Sequence, residues 1–318
     1  MPIIYRLAHA TDLVPADELV VGSINDLTER HGFGKIASPR PPPFQLFSLK
    51  DDPDGLWVAE DEGQMVGFGW SWMCGDLWFL AQLFVSPARQ SSGIGNELIK
   101  RTWGPAQAKG ATNKALITFT FNTVSQGLYL RHDMFPRFPI YFFSVAGDRL
   151  KARPEGPQFR CVKLEETSPH LRHLAGIDAQ TLGVSREKHH RYLINDPSTE
   201  GVLLYQGDDS VGYAYIAEGH IGPMAVKHSD HMATAFRTAL AIAADRSTPQ
   251  VTAFVSGPCE AALKAAVEAG MRITLPMVLM SSRDFGNWAQ YLPRNPGSCD
   301  RPCADEAGHQ GRVGSCAA

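Results

Sequence analysis

Residues 83–95 read Leu83-Phe84-Val85-Ser86-Pro87-Ala88-Arg89-Gln90-Ser91-Ser92-Gly93-Ile94-Gly95. An apolar run stops at a proline, a short polar loop follows, and a helical pattern starts at the second glycine. The loop has the form Q-x-x-G-x-G. Its glycines let the backbone approach a ligand closely. The first N–H groups of the following helix have no intrahelical partner and converge on one point. Such a junction is an anion site suited to a pyrophosphate. No lysine stands where a triphosphatase loop needs one. A dinucleotide fold would place G-x-G-x-x-G after its first strand, among parallel units. Here the loop follows three strands at 56–60, 65–73 and 77–85, with a turn at 61–63, which read as an antiparallel meander.

Outward from the loop, 95–108 predicts a helix that Gly104-Pro105 kinks or shortens. A strand at 115–121, a short helix at 124–132 and a strand at 139–145 follow. Upstream, 3–7 predicts a strand, and a helix starts after Thr11-Asp12 with apolar positions through Leu27. Residues 32–46 are rich in Gly and Pro and predict a long loop. Trp70, Trp72 and Trp78 alternate along strands, which predicts core packing.

Residues 146–158 read as a polar linker, after which the order repeats. Strands are expected at 159–164, 201–205, 211–217, 221–226, 251–255 and 273–281. Helices are expected at 171–182, 186–194, 230–244 and 260–269. Val66-Gly67-Phe68-Gly69-Trp70 matches Val211-Gly212-Tyr213-Ala214-Tyr215, and Asp133-Met134 matches Gly270-Met271. This predicts a duplicated unit whose second copy lost a loop. The expected domains are 1–150 and 151–286. Residues 287–318, rich in Gly, Pro, Ser and Cys, predict a disordered tail.

The 318 residues suit two domains of about 150 residues each, and 44% apolar residues supply two cores. The formal net charge is −3, and each half is slightly acidic, which disfavours nucleic acid as principal partner. The opening MPIIYRLAHATDLV has no basic stretch leading into an apolar core. No run approaches the ~18 apolar residues of a membrane span. A soluble, cytoplasmic protein is expected. Cys74, Cys161 and Cys259 read as small core hydrophobes. His189-His190, His220, His228 and His231 match no zinc spacing and read as solvated loop histidines. Cys299, Cys303, His309 and Cys316 read as incidental tail residues, so no metal is expected.

With its loop placed after the fourth strand, the chain resembles the GNAT family of acetyl-CoA-dependent N-acetyltransferases. Gln90 to Gly95 fills every specified position of that family's Q/R-x-x-G-x-G/A loop. A second family region, after the fifth strand, is filled by Asn122, Ser125, Leu128-Tyr129 and Asp133-Met134; the last pair departs from the usual Gly-Phe. The resemblance rests on motifs over residues 3–145 and on element order alone over 159–283. It implies an α/β fold, of the α+β kind, in two tandem GNAT-like domains. Each is a mixed, mostly antiparallel sheet flanked by helices. It implies acetyl-CoA as co-substrate. Backbone groups of Phe84 and Val85 would pair with the pantetheine arm. Amides of Gln90, Ser91, Ser92, Gly93, Ile94 and Gly95 would hold the pyrophosphate, and Asn122 and Ser125 would contact the pantetheine region. Tyr129 would protonate the departing thiolate, for which a phenol is a reasonable acid. Asn122 is equally suited to capping the following helix.

The general base is not apparent. Phe79 stands where histone-type members carry a glutamate. Asp76, Glu60, His132 and Cys74 are candidates, with a water chain as the alternative. The second half lacks the loop, and Ala266 and Cys259 fall opposite Tyr129 and Asn122. It is expected to be a degenerate copy that completes the fold and shapes the acceptor pocket together with 34–45. The expected activity is direct acetyl transfer to a primary amine of a small molecule, by a monomer or homodimer. The alternatives are acetylation of a protein lysine or N-terminus, and a CoA-binding sensor or scaffold without turnover.

Overall fold

The computed structural model describes residues 2–41, 43–150, 159–246 and 248–294. The first half runs β1 (Ile4–Leu7), α1 (Leu13–Arg30), α2 (Pro43–Asp51), β2 (Leu56–Asp61), β3 (Gln64–Cys74), β4 (Leu77–Val85), α3 (Ile94–Ala108), β5 (Asn113–Phe119), α4 (Thr123–Leu130) and β6 (Phe135–Ala146). The second half repeats that order: β7 (Arg160–Lys163), α5 (Ser168–Leu182), α6 (Glu187–Asn195), β8 (Thr199–Gln206), β9 (Asp209–Ala217), β10 (His220–Val226), α7 (Met232–Asp245), β11 (Gln250–Ser256), α8 (Glu260–Glu268) and β12 (Arg272–Ser281). A short β13 (Tyr291–Leu292) follows.

All strands join one sheet in the order β1-β2-β3-β4-β5-β12-β6-β11-β10-β9-β8-β7. The order is palindromic once each strand is matched to its repeat. Pairing is antiparallel except for β4–β5 and β10–β11. The halves have exchanged their last strands: β12 lies against β5, and β6 lies against β11. β6 and β12 pair with each other along the molecular centre, from Arg272–Ser144 to Ser281–Phe135. A boundary at residue 150 therefore divides the sequence but not the sheet. One buried cluster crosses it, uniting Phe79 and Ile140 with Leu174, Tyr213, Leu279 and Tyr291. Among the described residues no helix is long and apolar enough to cross a membrane.

Burial explains the local choices. α1 buries Leu13, Ala16, Val20, Ile24 and Thr28, a stripe at helical spacing. Asn25 then pins the chain that follows: its Oδ1 accepts from the N–H of Ile36 and Ala37, and its Nδ2 donates to the Ala37 carbonyl. Asp133 adopts a φ of +61°, the left-handed conformation expected of a glycine there, and Met134 is fully buried beside it. Gly270 and Met271 repeat the arrangement.

Five expectations need correction. Residues 32–46 are not wholly loop, because α2 starts at Pro43, and proline's fixed φ suits a first helical turn. Helix α3 runs through Pro105 to Ala108, so Gly104-Pro105 does not shorten it. Cys161 is exposed. His189, His190 and His220 are buried rather than solvated. Residues 287–294 are ordered: Trp288, Tyr291 and Leu292 are buried, and β13 pairs with Met224 and Ala225 of β10. The remainder of the expected tail, with its cysteines, and most of the linker lie outside the described residues.

Candidate active site

β4 and β5 pair only at Leu77–Asn113, Trp78–Lys114 and Phe79–Ala115. Beyond these residues the strands part. On its other side β4 stays joined to β3, with Ala81 as an extra residue between the pairs Trp70–Gln82 and Ser71–Leu80. Such a bulge bends the strand and strengthens its twist. The β5-facing edge of residues 80–85 is left without a strand. Its backbone groups need partners, because buried N–H and C=O groups are costly when unpaired.

The wedge opens into a cavity of about 920 Å³. At its wide end the chain turns through Ser91 (φ +64°) and Gly93 (φ +87°) into α3. Glu97 N–H is the one that reaches back to the Gly93 carbonyl, so the earlier amides of that turn face outward. A Cβ on Gly93 would meet nothing, which leaves open space before the helix terminus. Gln90 Nε2 donates to the Val85 carbonyl at 3.4 Å, and Ser92 Oγ donates to the Arg89 carbonyl at 2.6 Å. These bonds fix the loop from within.

α4 closes one face. The Asn122 Oδ1 accepts from Ser125 N–H at 3.2 Å, so Asn122 does cap the helix. Tyr129 is buried, and burial pushes its hydroxyl up to about 12, with a hydrogen bond to Ser125 opposing the shift. It is a neutral donor at physiological pH. Of the residues expected here, Phe84, Val85, Gln90, Ser91, Gly93, Ile94, Gly95, Asn122, Ser125 and Tyr129 all line the cavity. Ser92 does not.

Several lining residues had no motif to announce them. Arg30, Arg89 and Arg131 line the cavity, and among the described residues no Asp or Glu does. Arg89 pairs with Asp61, and Arg30 with Asp26. His31 and Phe33 lie against Phe121, with centroids at 4.9 and 4.7 Å. A basic rim with stacking rings suits a phosphorylated nucleotide.

The sequence model of the acetyltransferase (GNAT) family matches residues 24–134. Residues 24–134 are a GNAT acetyltransferase domain. The family is one of acyltransferases that use acetyl-CoA. The match spans the wedge, the loop and α4 to the buried Met134. Solved GNAT-fold structures cover most of the chain. A Pyrococcus horikoshii protein assigned to the acetyltransferases shares 17% identity at a TM-score of 0.73, over 93% of this chain and 95% of that one. A GCN5-related N-acetyltransferase from Sphaerobacter thermophilus shares 15% at 0.64, over 91% and 98%. A tandem GNAT protein from the clavulanic acid biosynthesis pathway shares 14% at 0.57, over 88% and 98%. At these identities the likeness establishes the tandem fold.

Within the GNAT frame, none of the four general-base candidates lines the cavity. Asp76 sits at the far end of β4, paired with Arg283. Glu60 is held by Arg6 at 2.5 Å. His132 Nε2 meets Asn96 Oδ1 at 2.9 Å, and burial depresses its pKa. Cys74 is buried in the core shared by the halves, and burial pushes its thiol up to about 11. Phe79 stacks on Trp72 at 4.8 Å and lines a second cavity of about 260 Å³ between the halves. The two cavities share Ile117 and Arg294. Arg40, Pro41, Pro43, Phe44 and Gln45 line the smaller one, together with residues from the second half.

Proposed function

We propose that the protein transfers an acetyl group from acetyl-CoA to a primary amine of a small molecule, by direct attack in a ternary complex. One observation carries the reading. The open wedge ends on an outward-facing helix terminus, with a protonated, buried Tyr129 on its apolar face. The edge of residues 80–85 that lacks a strand partner suits the amide-bearing pantetheine arm, with the Val85 carbonyl already accepting from Gln90 Nε2. The outward amides and the arginine rim suit the pyrophosphate. Tyr129 is suited to supply a proton to sulfur as the C–S bond breaks. The Asn122 Nδ2 is still available to a ligand while Oδ1 caps the helix.

The small-molecule preference rests on the second half. Its helix α5 packs on the face of the sheet opposite α3, and the second half lines a cavity of about 260 Å³ there, a volume scaled to a small amine. One observation favours a CoA-binding module without turnover: no carboxylate of the described residues lines the larger cavity.

Calorimetric titration with acetyl-CoA tests the site, and we expect one equivalent to bind. Gly93→Asp should weaken binding at least tenfold, because it sets a negative charge where the diphosphate lies. Two equivalents, or equal affinity in the variant, would overturn the assignment. Binding without acetylation of any amine in a broad panel would establish the module reading instead.

A further inference from the structure

The larger cavity holds two polar side chains that the reaction described above does not use. Ser23, on α1, is 6% exposed and lines the cavity together with Ile24 and Leu27 of the same helix. Its Oγ is buried with no hydrogen-bond partner among the described residues, although a helix serine can turn back to a carbonyl of the preceding turn. Gln82, on β4, is 3% exposed and lines the same cavity. Its amide makes no hydrogen bond to a described residue. Polar groups buried this deeply without a protein partner call for a ligand.

Gln82 lies inside the wedge. It follows Phe79, the last β4 residue paired to β5, on the edge that lacks a strand. The bulge at Ala81 sets its direction. Leu80 packs with Tyr129 and with Ile99 of α3 on one face of the sheet. Ala81 packs on the other face, against the cluster that holds Val20 and Ile24 of α1. Gln82 is the register partner of Trp70, whose ring is buried in that same cluster. Cross-strand partners share a face, so the bulge turns Ala81 and Gln82 both toward α1. An acceptor held by Ser23 and Gln82 thus meets the thioester from the face opposite Tyr129.

Charge narrows the acceptor further. Among the described residues, the charged side chains lining the larger cavity are Arg30, Arg89, Arg131 and Arg294. The first three form the rim described above. Arg294 stands where the two cavities join, donates to Thr199 Oγ1 at 3.4 Å and lies beside Asp196. The carboxylates of the smaller cavity are engaged: Asp196 accepts from Ser198 and Thr199, and Glu218 faces Arg40. Of the other titratable groups, His31 Nδ1 meets the Leu27 carbonyl at 2.9 Å, and Tyr129 is neutral. An ammonium ion entering the larger cavity would lose its hydration and find no counter-charge; an uncharged amine escapes that cost.

We propose that Ser23 and Gln82 bind the hydroxyl of a 1,2-amino alcohol, and that this acceptor enters the larger cavity as the free base. The inference rests on the acetyltransferase reading. One chemistry answers both observations. A hydroxyl on the neighbouring carbon offers the two side chains a donor and an acceptor. It also withdraws electrons and so lowers the basicity of the nitrogen. A free base already presents its lone pair, which removes the need for a carboxylate to deprotonate it. The C–N bond forms as the C–S bond breaks, and sulfur takes its proton from Tyr129. The nitrogen releases one proton to water, and water returns one to Tyr129. The products are an N-acetylated amino alcohol and the free thiol. Phe84, Phe119 and Leu275 give the carbon frame apolar walls, and the remainder extends past Ile117 toward the smaller cavity.

The test uses the full chain, acetyl-CoA and two ring amines that differ by one oxygen, trans-2-aminocyclohexanol and cyclohexylamine. At neutral pH the amino alcohol should be acetylated with about 10²-fold higher kcat/KM. About tenfold should persist when both are referred to free-base concentration, which isolates the hydroxyl contacts. For each amine kcat/KM should rise with pH as the free base forms and level off above that amine's own pKa. Ser23→Ala and Gln82→Leu should each raise KM for the amino alcohol about tenfold, with a much smaller loss in kcat, and erode its advantage over cyclohexylamine. Equal free-base kcat/KM for the two amines, or an undiminished advantage in both variants, would overturn the roles of Ser23 and Gln82. A kcat/KM that does not follow the free base would overturn the mode of entry. Acetylation of other amines but neither of these would overturn the acceptor class. Failure of the wild type to bind acetyl-CoA, or to acetylate any amine, would instead remove the reading beneath all three.

Discussion

In the first half β4 and β5 part after Phe79 and Ala115; in the second, β10 and β11 part after Ile221 and Ala253. In both, an irregularity in the strand lies just past the point of parting, at Ala81 in one and between Ile221 and Met224 in the other. They differ in what lies inside. The second is filled by the chain itself: β13 pairs with Met224 and Ala225, and the Gln290 carbonyl accepts from Val226 N–H. The first has no such strand, and its free edge leads to the loop at Gly93. A splayed parallel pair creates a backbone debt that something must satisfy. One copy meets it with a segment of its own, and with that its need for an anion-binding loop lapses; only Lys227 and His228 separate β10 from the turn at Ser229–His231. The other copy leaves it for a ligand.

The comparison predicts that second-half polar groups support the fold, whereas first-half groups perform chemistry. The largest expected effect is at Asp178. Its carboxylate is fully buried, accepts from Arg186 Nε at 3.0 Å and from Tyr213 at 2.6 Å, and is held well below the usual carboxylate range. Asp178→Asn leaves the Arg186 guanidinium without a counter-charge. Losing one partner of a buried pair costs about 3–5 kcal/mol. Thermal unfolding should report a midpoint lower by roughly 10 °C. An unchanged midpoint would break the comparison, because this network would then not be holding α5, α6 and β9 together.

Next in size is Tyr129→Phe, which keeps the ring packing with Leu128 and Met134 and removes the proton. Turnover should fall about 10²-fold, near 2.7 kcal/mol, while the melting point and acetyl-CoA affinity stay close to wild type. An unchanged kcat would remove Tyr129 from the chemistry and make the two halves alike in this respect. At the matching position Ala266 is a buried helix residue with nothing to donate.

The wedge was legible in the sequence because its parts are local. A strand ending at Pro87, glycines at the turn and an Asn before a short helix each leave a signature within a few residues. The strand exchange left none. β6 and β12 carry similar apolar patterns, and periodicity says which face a strand buries, not which neighbour it pairs with. The segment 287–294 was hidden by its composition: Gly, Pro and charge surround Trp288, Tyr291 and Leu292, and three anchors suffice to seat a short strand. His189 was obscured by His190. Adjacent histidines resemble a solvated pair, yet on α6 one enters an ion network and the other a cavity. Only the tertiary structure brings His189 alongside Trp72 and Phe79.

The smallest effect sharpens the comparison most. Asn122 and Cys259 hold equivalent places, each at the N-cap of the short helix after a wedge strand. Cys259 makes no cap bond with its side chain; its Sγ approaches the Ala289 carbonyl at 3.3 Å, tying down the segment that stoppers the second wedge. Asn122 caps with Oδ1, and its Nδ2 is the group equivalent to that thiol. If the positions correspond, Nδ2 should hold whatever fills the first wedge. Asn122→Asp retains an oxygen to cap α4 and removes the donor, so the melting point should hold while acetyl-CoA binds roughly three- to tenfold more weakly. Asn122→Ala should lose that affinity and about 1 kcal/mol of stability as well. Calorimetry and thermal unfolding on both variants separate the two roles. Full affinity in Asn122→Asp would mean that Asn122 is a cap alone, and that only the second copy uses this position to hold the occupant of its wedge.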